Sequence, residues 1–159
     1  MIIRGAQRDR AIAEAGPPLS VVALLQRWHS TFWLDRACRG LEGWALEPET
    51  VEALLPTLPV FPLWESEDRL YGFVGNPKTP VFFAFIYEDD DLTRIDGSWD
   101  ELLRYWVAVE LSVEERISEV AEALGVPELG AQALKDSENG RWDDLPSTSG
   151  TDPSLFVAN

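Results

Sequence analysis

The residues whose types could do chemistry are four adjacent acids, Glu88-Asp89-Asp90-Asp91, set between two apolar stretches. Carboxylates gathered in a turn are the oxygen ligands that Mg²⁺ or Ca²⁺ takes. A calcium loop, however, alternates its acids, needs a glycine at its sharp turn and closes on a glutamate twelve places in. Here the acids are consecutive, so neighbouring side chains diverge, and the glycine offset is wrong. Three readings stay open: a solvated hairpin turn, a contact surface for a basic partner, and a cation site. A second acidic group, Glu65, Glu67 and Asp68, precedes the next strand. Together the two groups could line the pocket of a small metal-dependent hydrolase, in which raised carboxylate pKa values would be the signature.

Other catalytic chemistry finds little support. His29 is the single histidine and Cys38 the single cysteine. One cysteine excludes an intrachain disulfide and a cysteine-based zinc site, and one histidine removes the commonest metal ligand. His29 falls on the apolar side of a helical pattern with no nucleophile motif beside it, so it reads as a packed or rim histidine. Cys38 reads as a small buried hydrophobe. Gly72, Gly75 and Gly97 form no phosphate-cradling loop. The expectation is a chain with no catalytic residue, no cofactor and no bound metal.

The 159 residues carry 13 Lys and Arg against 28 Asp and Glu, a net charge of −15. A nucleic-acid partner is excluded on that balance. The acidity is uneven: residues 1–46 hold six Arg and four acids, a net of +2, and residues 47–159 hold seven Lys and Arg and 24 acids, a net of −17. A basic partner would meet the later part. The apolar run Val81 to Tyr87 is too short to span a bilayer, and no secretory leader is read, so a cytoplasmic location without membrane contact is expected.

These residues need elements to position them. Residues 1–18 read as a flexible arm, with a short helix possible at Arg8–Ala15. Residues 19–128 read as a single α+β domain, and 129–159 as an irregular tail in which Phe156 and Val157 are candidates to dock back. Ser20 is a candidate cap for a long helix reaching about Gly40, with Val21, Leu25, Trp28 and Phe32 on one face. Glu47-Pro48-Glu49 opens a short helix carrying Val51, Leu54 and Leu55. Val60-Phe61-Pro62-Leu63-Trp64 is a strand whose proline belongs at an edge or a bulge. Arg69–Val74, Val81–Tyr87 and Leu92–Asp96 form a meander, and the unalternating middle run predicts a strand covered on both faces. Ser98-Trp99-Asp100-Glu101 has capping-box spacing and starts a helix with Leu102, Leu103 and Trp106 on one side. Ser112 starts another, with Ile117, Val120, Ala121 and Leu124. The fold class is α+β, an antiparallel sheet of about four to six strands covered by helices.

The stretch from Glu47 to Trp106 resembles the SUKH superfamily of bacterial immunity proteins and fungal cell-wall regulators. The resemblance is carried by Leu55-Pro56 and Leu58-Pro59, by Pro62-Leu63, Leu70-Tyr71-Gly72 and Pro80-Val81 at strand positions, and by Ser98-Trp99-Asp100-Glu101-Leu102-Leu103 at the closing helix. The Asn-Gly turn usual after the Leu-Pro step is missing. The resemblance implies a binding domain rather than an enzyme, and in bacterial members an immunity protein that neutralises a toxin, often a nuclease, by direct binding. A basic toxin domain is then the expected partner. The rim charges expected to meet it are Glu65, Glu67, Asp68, Glu88, Asp89, Asp90 and Asp91. Oligomeric state is not fixed by these features.

Overall fold

In the computed structural model of the chain, the described residues are 1–27, 48–66, 69–110, 121–122, 128, 131–132, 135, 147–150 and 152–158. Among the described residues three helices precede the sheet: α1 (Gly5–Glu14), α2 (Leu19–Arg27) and α3 (Glu49–Leu54). Four strands follow, β1 (Val60–Glu65), β2 (Arg69–Val74), β3 (Val81–Ile86) and β4 (Asp91–Ile95). Then come α4 (Trp99–Glu110), β5 (Ser147–Ser149) and a 3₁₀ turn at Pro153–Phe156. The fold is α+β. The five strands form one antiparallel open sheet in the order β1-β2-β3-β4-β5.

Side chains alternate across this sheet, and each face has its own core. Tyr71, Phe73, Phe82, Ala84 and Ile95 face one side, under Leu102, Leu103, Trp106 and Val107 of α4 and Val21 of α2. Leu70, Val74, Phe83, Phe85 and Leu92 face the other, with Val51, Leu55 and Phe156. β3 is therefore covered on both faces, as its unbroken apolar run requires. Aromatic rings dominate the first core. Phe61 stacks on Phe73 at 4.7 Å, and Phe82 lies 4.8 Å from Trp99. Trp64 meets the edge of Trp106 at 5.6 Å.

Pro62 sits both at the edge of the meander and at a bulge. The β1–β2 register slips between Pro62 and Trp64, so Leu63 is the extra residue. The slip places Trp64 in the first core beside Leu63 and turns Glu65 to the second face, opposite Leu70.

Three readings of the sequence are corrected. Within the segment 1–18 read as a flexible arm, residues 2–15 pack onto the domain. Ile2 bridges Val60 in parallel, Ile3, Ala11 and Ile12 are buried, and Trp99 Nε1 donates to the Ala15 carbonyl at 2.9 Å. Ser20 does not cap α2. The helix starts at Leu19, with the Pro18 carbonyl accepting from the Val21 and Val22 amides, and the Ser20 hydroxyl is buried with no partner among the described residues. The irregular tail contains β5 and the 3₁₀ turn, with Phe156 buried as expected of a docking residue. His29, Cys38 and the far part of the long first helix lie outside the described residues. Of the helix expected after Ser112, Ala121 and Glu122 are described; both are helical, and Ala121 is buried.

The capping box at α4 is present. Asp100 N donates to Ser98 Oγ at 3.3 Å, and Ser98 N and Oγ both donate to Glu101 Oε2 at 2.6 Å. The Ser98 hydroxyl and amide hold the Glu101 carboxyl below its usual 4.5. A depressed carboxyl contributes stability above its unfolded value and loses it as pH falls through its folded one. Ser98→Ala should cost about 1 kcal/mol at neutral pH. The gap from wild type should narrow below 4.5 as Glu101 protonates, read as urea midpoints at the two pH values. No change at neutral pH would contradict this role for Ser98.

Candidate acidic interface

Antiparallel connections place alternate turns at the same end of a sheet. Here Arg69 of β2 pairs with Ile86 of β3, and the Ser66 amide closes the β1–β2 turn on the Arg69 carbonyl at 2.8 Å. The β1–β2 and β3–β4 turns are therefore neighbours. Glu65 and the acids Glu88 to Asp91, more than twenty positions apart in sequence, therefore fall at one end of the sheet, opposite the end where β4 passes into α4.

Their members fare differently. Glu88, Asp89 and Asp90 are exposed in the β3–β4 turn, and Asp91 is half-buried as the first residue of β4. Asp90 has φ +48°, the left-handed region an acid can occupy in a tight turn. Asp91 Oδ2 accepts from Thr93 Oγ1 at 3.2 Å, and that hydroxyl also meets Ser149 Oγ at 3.1 Å. Asp91 is thus tied to the sheet, while the three acids before it face solvent. Glu67 and Asp68 lie outside the described residues.

Glu65 is corrected: it is fully buried and is not a rim charge. The bulge at Leu63 is the cause, since it sets the face on which each later residue of β1 falls. A proline-bearing apolar run marks a bulge as possible but not the residue at which the register slips.

Asp152 was missed by sequence reasoning. β5 runs back toward the acidic end, where the Gly150 amide donates to the Leu92 carbonyl at 3.0 Å, and Asp152 follows, exposed. Its carboxylate accepts from the Ser154 amide at 2.9 Å, which holds it below its usual value. The signal available was the Asp-Pro-Ser cap spacing at 152–154.

What this end can do chemically is electrostatic. Clustered exposed carboxylates raise the local concentration of a basic partner and speed its encounter. Among the described residues no group of three His, Cys, Asp or Glu side chains is placed to hold a metal ion, and no helix is long and apolar enough to cross a membrane. No family model, curated protein or solved structure matches the chain.

Proposed function

We propose that this chain is a non-enzymatic protein-binding domain that neutralises a basic toxin domain, a nuclease being the class whose charge fits best. The observation that carries the reading is the acidic end of the sheet, where Glu88, Asp89 and Asp90 stand exposed, on a chain of net charge −15. The resemblance of residues 47–106 to immunity proteins supports the same reading. A nuclease must present basic surface to its own polyanionic substrate, so an acidic end can compete for that surface. No basic residue of the described turn residues Tyr87–Asp90 offsets the acids.

The experiment is a toxicity rescue. The immobilised protein is exposed to a lysate of its source at low salt, and the basic proteins it retains and then releases at high salt are identified. Each is expressed alone and together with this chain. At least one should arrest growth alone and be silent in co-expression. If no retained protein is toxic, or toxicity persists beside the chain, the reading fails.

A further inference from the structure

The two edges of the sheet are treated unequally. The β1 edge is closed three ways. Ile2 bridges Val60, Pro62 has no N–H to offer, and the buried Arg8 guanidinium takes the carbonyls of Pro62 and Leu63. These are the devices by which proteins stop an edge from pairing with another chain. The β4 edge has none of them. It is closed by a strand, β5, whose ladder among the described residues is Thr93↔Ser149, Arg94↔Thr148 and Ile95↔Ser147.

That strand is lightly held. All three of its residues carry hydroxyls, and Thr148 and Ser149 are exposed. Beyond it, the Gly150 amide bonds to Leu92, Arg94 Nη1 donates to the Leu155 carbonyl, and Phe156 inserts into the second core at 1% exposure. The segment is held by Phe156, the partly buried Leu155, the Thr93–Ser149 hydroxyl contact and a short ladder, few contacts beside those of β1 to β4, and segments of that kind are the ones that open locally before a domain unfolds. When it opens, β4 offers unpaired backbone groups beside a vacated apolar slot.

We propose that the outer edge of β4, with the slot that holds Phe156, is a strand-acceptor site whose intermolecular occupant is the Ser147–Phe156 segment of a second copy of this chain. The segment's complementarity to that edge is already displayed within one molecule, and exchange of an identical element between copies needs no new contact. The site uses backbone pairing for affinity and an aromatic seven residues past Ser149 for selectivity, the division seen when a peptide adds a strand to a sheet.

The probe is a labelled synthetic peptide of residues 146–158, titrated by fluorescence polarisation into the full chain. In wild type the linked segment competes at high effective concentration. Phe156→Ala loosens that competitor, so this variant should bind the peptide about ten-fold more tightly than wild type does. A peptide carrying the same Phe-to-Ala change should not bind. Should Phe156→Ala fail to melt cooperatively, Gly150→Pro takes its place. It removes the amide that bonds to Leu92, and proline cannot adopt the Gly150 φ of +156°, so it loosens the segment while altering no core side chain, and the same gain is expected. A cooperatively folded variant that binds the peptide no better than wild type overturns the proposal. So does a scrambled peptide of the same composition that binds equally, which would reveal an apolar slot without strand pairing.

Discussion

Replacing Gly72 by alanine should cost the domain about 2–3 kcal/mol, a large share of what a domain of this size has. Gly72 lies in the middle of β2, paired with Pro62 on one side and Phe83 on the other. A β-carbon there would stand 2.7 Å from the Phe61 carbonyl oxygen and 2.8 Å from Phe83 Cζ. Neither neighbour can yield easily. The carbonyl is backbone of β1, and the Phe83 ring is fully buried in the second core. Relief requires Phe83 to leave its rotamer or β1 to move off the sheet. The measurement is the urea midpoint with the slope unchanged. Valine at the same position should do worse. A midpoint within about 0.5 kcal/mol of wild type would mean that the close approach does not exist.

The second large effect is expected at Arg8. Its side chain is buried against the bulge of β1, with Nε donating to the Pro62 carbonyl at 2.5 Å and Nη2 to the Leu63 carbonyl at 2.9 Å. A bulge leaves backbone groups out of the ladder, and buried carbonyls without a donor are costly. Arg8→Met keeps the apolar stem and orphans both, so it should lose about 2–4 kcal/mol. Arg8→Lys should recover little, because one ammonium cannot reproduce the planar fork that spans two successive carbonyls. Burial draws the guanidinium pKa down from its ordinary value, and Asp9 opposes the shift. Asp9 itself is exposed and meets Arg8 Nη1 at 3.2 Å, so Asp9→Asn should change stability by under about 0.5 kcal/mol. Comparable losses for Asp9→Asn and Arg8→Met would assign the effect to the ion pair and not to the two carbonyls.

These two residues show where sequence was and was not informative. A glycine inside an apolar strand pattern marks a close backbone approach, and Gly72 could be read that way from Leu70-Tyr71-Gly72-Phe73 alone. Arg8 could not. An arginine among Gln7, Asp9 and Arg10 reads as solvated, and its acceptors lie more than fifty positions away on carbonyls that a bulge exposes. β1 to β4 were legible because their side chains feed one or both cores, which leaves a hydrophobic pattern. Thr148 and Ser149 of β5 are exposed, and Ser147-Thr148-Ser149 carries no hydrophobic periodicity to read. The same physics divides the acidic site. Glu88 to Asp90 were legible because charge in a strand-to-strand turn faces water. Glu65 was not, because its burial depends on a register slip two residues earlier.

If the exposed acidic turn at the end of the sheet meets a basic partner, the association rate is where that contact shows most directly. It is measured by surface plasmon resonance at low and at physiological salt, with the toxic protein that the immobilised chain captures and silences. The protein is compared with the triple variant Glu88→Gln, Asp89→Asn, Asp90→Asn, which removes the three turn acids that face solvent. Rim charges govern encounter more than residence. The variant should therefore associate about ten-fold more slowly at low salt, with a flatter salt response and a dissociation rate close to wild type. Equal association rates at both salt concentrations would remove the turn from the interface and contradict its proposed role.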